Sequence, residues 1–323
     1  MSSATRATSA DPLLTQPLPE RPAYATGMLL DAQDFIDEQT YHRAQLARAM
    51  AFVGGAGTLA GLRVRHRPAV PAAAGDPGRP EEIEVEPGLA IDHLGRLIEL
   101  PRLACLRLQR WWDAALAQLD GDALPDAAYD NPGRFVSQRL RTSANPSLPA
   151  RAVVADLYLR HVACPRGLSP AFAAGPYDAL NAVSVSRLRD AYELLLRPRR
   201  ALTDALPGLP RPAGDVERAG ESPADAAARA ALLSDPQGDA QARRDALHDA
   251  VLDGYQRSTG QTLVRGPEHA DQVDPSAVWI ARVLLPVSAT GDPFARQGAS
   301  VWIDNHSRRF VPGAALLARY AGA

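Results

Sequence analysis

The spacing of apolar and polar positions changes several times along the chain. From Phe35 a 3.6-residue period runs through Glu38, His42, Leu46, Ala49 or Met50 and Val53, apolar only in its C-terminal half, and predicts a helix whose N-terminal half is the wetter. Asp31 stands where a side chain caps the free N–H groups of a first turn, and Asp34 and Asp37 stand where the helix dipole favours negative charge. Glycines at positions 54, 55, 57 and 61 end that helix and lead into a strand predicted from Leu59 to Val64. Ile83 and Val85 then alternate, Pro87-Gly88 turns, Leu89 and Ile91 follow, His93-Leu94-Gly95 turns again, and Leu97 and Ile98 resume. This is the pattern of a compact β meander.

Farther on, Leu103 to Leu108 reads as a strand and Arg110 to Leu119 as a helix through Trp111, Ala115 and Leu119. Val153 to Val162 alternates as a buried strand, and Ser186 stands as the cap of a short helix carrying Leu188, Tyr192 and Leu195. Helices are predicted around Ala224 to Leu233, Ala240 to Tyr255 and Pro312 to Tyr320, and a hairpin joins Val278 to Val287 with Ser300 to Ile303 around Gly291-Asp292-Pro293. The expected fold is α+β: an N-terminal helix leading into a small antiparallel β domain, with a helical insertion and a C-terminal β hairpin plus short helix. Its segments are a flexible arm (1–26), a helix plus meander resembling an attachment module (27–110) and a helix with a loop-rich insertion (111–150). A strand and helix completing the core (151–196), an Ala/Arg/Asp/Pro-rich helical insertion (197–270) and the C-terminal hairpin and helix (271–323) follow.

Charge removes several function classes. All 35 basic residues are arginine and face 37 acidic ones, spread along the chain, so a dedicated nucleic-acid groove is not expected. The absence of lysine excludes a GxxxxGK[ST] phosphate loop, an internal Schiff base and a kinase-type phosphate lysine. There is no uninterrupted apolar run of 18 residues and no apolar signal-peptide core at the N-terminus, so membrane insertion is not expected and cytoplasmic synthesis is. Cys105 and Cys164 lie in apolar runs and are expected to be buried free thiols.

Candidate chemistry is sparse. Gly55-Ala56-Gly57-Thr58-Leu59-Ala60 matches GxGxxA, but a helix precedes it and a strand follows, the reverse of a dinucleotide site. Asp34, Glu38 and His42 could share one helix face and hold a metal, as a metal-dependent hydrolase would require; the simpler reading is a surface Glu–His pair. Asp92-His93 and Asp304-Asn305-His306 read as turn chemistry, with Asp92 and Arg96 placed to pair across their turn. No GxSxG elbow orders a serine site, so the chain is expected to be no enzyme and to carry no cofactor. Trp111, Trp112, Trp279 and Trp302 offer either apolar platforms for a glycan or other ligand, or ordinary core. In the proline-rich arm, Leu13, Leu14 and Leu18 are the anchors by which an extended segment could dock on a partner.

Three blocks together carry a family resemblance. Gly27 to Leu62 has the form G-x-L-L-x-x-x-D-F-x-x-E-Q-x-Y-H followed by a glycine corner and G-L-x-V, and Pro87 to Ile98 reads P-G-x-A-I-D-x-x-G-R-x-I. The third joins Leu157 to Pro165 and Ser186 to Leu194 with Ile303-Asp304-Asn305 and Arg308-Arg309. The set resembles a bacterial family associated with phage-tail-like contractile injection system gene clusters. The resemblance implies a structural or adaptor component at a baseplate or fibre attachment, whose partners are other particle proteins or further copies of itself. It carries over no catalytic residue.

Overall fold

The computed structural model describes residues 13, 20–117, 124–170, 183–200, 206–210, 222–234, 239–254, 266–270, 272–288 and 294–320. Among them are six α-helices and eleven strands, with every strand ladder antiparallel, an α+β fold. No helix among the described residues is long and apolar enough to cross a membrane. Arm residues Leu14 and Leu18 lie outside the described residues, as does the turn Gly291-Asp292-Pro293; Leu13 is half-buried.

Helix α1 (Ala32–Val53) begins as its sequence dictates. The Asp31 carboxylate accepts from the backbone N–H of Gln33 and Asp34, and Asp34 returns the bond by accepting from the N–H of Asp31. This reciprocal capping box satisfies donors that a helix start leaves open. The helix buries only Thr40, Ala44 and Ala47.

The meander is folded along its middle. The expected strand from Leu59 to Val64 is two strands, β1 (Gly57–Gly61) and β2 (Val64–Arg67), and the same break separates β3 (Glu82–Val85) from β4 (Gly88–Ile91) and β5 (Leu97–Leu100) from β6 (Ala104–Arg107). One half forms the sheet β1-β4-β5 and the other β2-β3-β6. At the crease Gly61 pairs with Gly88 so closely that a Cβ on Gly61 would stand 2.1 Å from the Pro87 carbonyl oxygen. Leu62 follows with φ 54°, a conformation a branched side chain tolerates only when its surroundings hold it. The holder is Arg308, buried, whose Nη1 donates to Leu62 O at 2.7 Å and whose Nε donates to Asn305 O at 2.9 Å. Asn305 acts as a short piece of strand, accepting from Val64 N and donating to Val64 O, both at 2.9 Å.

Helix α2 (Leu108–Leu116) buries Leu108, Trp112 and Ala115, and beyond it β7 (Ala128–Asp130) opens the third and largest sheet, followed by the short α3 (Gln138–Ser143). There β8 (Arg151–Pro170) pairs with β9 (Val183–Pro198), β10 (Val278–Pro286) and β7, and β10 also pairs with β11 (Trp302–Asp304). The short helix expected after Ser186 is therefore β9. Its pairing with β8 extends from Ala155 opposite Pro198 to Pro170 opposite Val183, and this cross-strand ladder overrides a weak helical spacing. Helices α4 (Pro223–Ser234) and α5 (Ala240–Gly254) pack on each other, and α6 (Ala314–Tyr320) closes the described chain.

One apolar core runs through both halves. Leu62, Ile83, Val85, Ile98 and Leu100 of the folded meander share it with Trp112 of α2, Val153 and Leu157 of β8 and Ile280, Val283 and Leu285 of β10. Every residue of β10 is buried because a second cluster, with Phe135, Val154, Leu284 and Trp302, covers its other face. The two cysteines depart from expectation: both are exposed. Cys105 points outward from β6, where Ala104 and Leu106 take the inner face, and Cys164 lies on the part of β8 that runs beyond the core.

Candidate functional site

Asp156 of β8 and Arg282 of β10 face one another on the second face of the large sheet, both fully buried. Arg282 grips the carboxylate with two bonds, Nε to Oδ1 at 2.7 Å and Nη2 to Oδ2 at 2.9 Å, and donates onward to Phe135 O at 2.6 Å and Gly208 O at 2.9 Å. Arg199 approaches the same carboxylate at 3.2 Å and gives its other donors to Glu268 O at 2.8 Å and Pro267 O at 3.2 Å. Tyr158 OH donates to Glu268 O at 2.6 Å and accepts from Ala270 N at 3.2 Å; burial first, and then the Asp156 charge, push its phenol up. Arg282 thus fixes Phe135 and the 207–208 stretch, while Arg199 and Tyr158 fix the backbone of the segment before β10.

That fixed backbone aims two side chains at the β4–β5 turn. The turn is held from within and from below. Asp92 accepts from Arg96 Nε at 2.6 Å, Arg96 N at 2.8 Å and Leu94 N at 2.9 Å, and Arg96 Nη2 reaches Ser276 Oγ at 3.0 Å. Gly95, φ +86°, rests on α1 so closely that a Cβ there would meet Ala47 O at 1.8 Å. His93 N donates to Ser276 O at 3.3 Å, which brings the His93 ring to 5.0 Å from the His269 ring, centroid to centroid and edge to face. One donor atom each from His93, Glu268 and His269 lies within 4.8 Å of the other two, the one such group among the described residues.

The electrostatics of the cluster are uneven. Burial, and then the charge of His269, push the His93 imidazole down to about 4. Burial alone would raise the Glu268 carboxyl, but Arg309, its own backbone N–H and His269 outweigh it and hold the group below its ordinary value. Arg309 Nε donates to Glu268 Oε1 at 3.2 Å, while Oε2, equally buried, has no hydrogen-bond partner among the described residues. His269 Nε2 sits 2.8 Å from Ala277 O. A carbonyl only accepts, so that nitrogen carries the proton, and Nδ1 offers a lone pair when the ring is neutral. Beside the cluster lies a pocket of about 10 Å³, room for one water-sized guest, lined by Gly57, Pro210, Val278 and Trp279 among others.

The residues singled out in the sequence lie elsewhere or serve the frame. Asp34 is committed to the helix cap, Glu38 and His42 face each other at 4.0 Å on the exposed side of α1, and Tyr24 OH donates to Glu38 at 2.6 Å. Asp92 and Arg96 do pair across their turn, but both are buried, so their bonds are made inside the chain. Trp112, Trp279 and Trp302 are core residues; Trp112 stacks on Phe294 at 5.9 Å and Trp302 Nε1 donates to Pro146 O at 3.0 Å. Trp111 is half-buried and donates to Leu196 O at 2.8 Å. His93, Glu268 and His269 were reachable only through His93, read as a turn residue; a Glu-His dipeptide far along the chain has no spacing signature. No protein-family model and no curated protein matches this chain.

Proposed function

We propose that the chain is a non-enzymatic structural or adaptor component of a phage-tail-like contractile particle, made in the cytoplasm and incorporated at the baseplate or a fibre attachment. Its partners are neighbouring particle proteins or further copies of itself. The observation that supports this reading is the apolar surface carried outside the core on two long elements. Helix α1 and its approach leave Leu29 94 %, Leu46 65 % and Val53 90 % exposed. The outer part of the β8–β9 ribbon leaves Leu168 66 % and Leu188 62 % exposed. Large apolar side chains held in solvent on elements outside the core offer contacts to a partner, and a projecting two-stranded ribbon presents strand edges for pairing.

The reading is tested on contractile particles purified from the native host. The chain should be present beside sheath, tube and baseplate proteins, and a Leu46→Asp, Val53→Asp double variant should melt like the parent yet be lost from the particles. Particles that hold sheath, tube and baseplate proteins but lack the parent chain would end the assignment. Deleting residues 1–22 should likewise leave the monomer's melting temperature nearly unchanged and weaken incorporation; a monomer that melts far earlier would make the arm part of the core.

A further inference from the structure

The structure assigns a divalent-metal site to His93, Glu268 and His269, side chains other than those invoked for assembly. Three independent observations meet there. The donors come from two distant stretches of chain, the β4–β5 turn and the segment before β10, yet their ligand atoms fall within 4.8 Å of one another. Metal–ligand bonds of about 2.0 to 2.2 Å to imidazole nitrogen and carboxylate oxygen need a slightly tighter set, which side-chain rotations supply without moving the backbone.

The outer contacts are those that ligating side chains receive. His269 turns Nε2 to the Ala277 carbonyl, the kind of backbone contact that orients a ligating imidazole, and Glu268 offers one oxygen to Arg309 while the other, buried, has no hydrogen-bond partner among the described residues. A carboxylate oxygen so placed calls for a cation. Arg309 satisfies only Oε1 and its side chain is 30 % exposed, so it can retreat toward solvent as positive charge arrives.

The third observation is space. The adjoining pocket has room for a single water, and Trp279, which lines it, has a buried Nε1 without a hydrogen-bond partner among the described residues. Three protein ligands with a solvent-sized fourth position is the arrangement of an open site, and two imidazoles with one carboxylate suit zinc or a neighbouring first-row ion rather than calcium or magnesium. The site joins the folded meander to the large sheet, so an ion bound there ties the turn at His93 to the segment before β10.

The test uses the full chain made without a histidine tag, stripped with a chelator, and titrated with zinc chloride alone. Zinc should bind at about one ion per chain with a Kd of roughly 1 µM or tighter, read by competition with a chromogenic chelator and by elemental analysis after gel filtration. His93→Ala and Glu268→Gln should each weaken binding at least about tenfold, while His42→Ala should leave it unchanged. Cobalt in place of zinc should give visible absorption bands that His93→Ala alters. Substoichiometric zinc on the parent chain overturns the assignment whatever the variants do. So does stoichiometric zinc that survives both His93→Ala and Glu268→Gln, because that ion is held elsewhere.

Discussion

Two polar clusters meet at Glu268, one through its backbone and one through its side chain. On the backbone side, Asp156, Arg199 and Arg282 are buried together, both oxygens of the carboxylate accept guanidinium bonds, and further arginine donors go to loop carbonyls. On the side-chain side, His93, Glu268 and His269 share a small space with a buried carboxylate oxygen that has no hydrogen-bond partner among the described residues. The two carboxylates differ: both oxygens of Asp156 accept guanidinium bonds, while Glu268 Oε2 accepts none among the described residues. A buried carboxylate with both oxygens satisfied belongs to the scaffold, whereas one that leaves an acceptor open beside a pocket has a place for something else.

The largest expected effect breaks the scaffold half. Arg282→Met leaves Asp156 with Arg199 alone and strips the Phe135 and Gly208 carbonyls of their donor. Removing one partner of such a pair costs about 3 to 5 kcal/mol. Urea unfolding should show a loss of that size, and a loss below about 1 kcal/mol would mean Arg282 is not what holds Phe135 and the 206–210 segment.

Next comes the turn that carries His93. At φ +86°, with the Ala47 carbonyl where a side chain would go, Gly95→Val combines backbone strain with a clash against helix backbone. About 2 to 3 kcal/mol is expected, read as a lower melting temperature, together with weaker zinc binding because the ring above the turn is displaced. Equal stability of variant and parent would contradict the packing of the turn on α1.

How much of this was legible follows from the range of the interactions. Asp31 as a cap, the alternation of β3 to β5 and the apolar run of β10 are local, and the chain carries them openly. The crease was hidden because Gly61 and Leu62 adopt positive φ against a partner strand and an arginine far downstream, Arg308. β9 was hidden because its helical spacing is local while the ladder that defines it is not. The exposure of Cys105 and Cys164 was hidden because an apolar neighbourhood in sequence does not say which face of a strand is covered. The His93, Glu268 and His269 cluster was hidden most thoroughly, since its members meet only after the meander docks on the segment before β10.

A smaller effect concerns acid. Asp304 ties β11 to Ser137 and to its own turn: burial would raise its carboxyl, but hydrogen bonds from Ser307, Ser137 and the His306 N–H prevail and lower it. Glu81 is lowered in the same sense, burial again being outweighed, here by Arg296 and His66. Both folded values lie below the unfolded ones, so the unfolded chain takes up protons first as pH falls. The stability these groups contribute is present above the unfolded values of 3.8 and 4.5 and is lost as pH drops through the folded ones. Asp304→Asn should flatten the fall in melting temperature below about pH 4.5; an unchanged acid limb would show that Asp304 does not contribute to it.

The smallest expected effect is on the other half of the comparison. In the metal-free chain, Glu268→Gln removes a buried charge whose second oxygen has no hydrogen-bond partner among the described residues, keeps the shape of the side chain, and leaves the backbone carbonyl in the grip of Arg199 and Tyr158. Its loss frees Arg309, but that side chain reaches solvent and is not stranded as a buried charge would be. The two contributions offset, and stability should change by no more than about 1 kcal/mol in either direction at neutral pH. Urea unfolding of stripped parent and variant measures this directly, and repeating it with excess zinc sharpens it. The parent should gain stability with zinc by mass action and the variant should gain far less. A loss of 3 kcal/mol or more in the metal-free variant would instead place Glu268 with Asp156 as a member of the scaffold, and the distinction between the two clusters would fall.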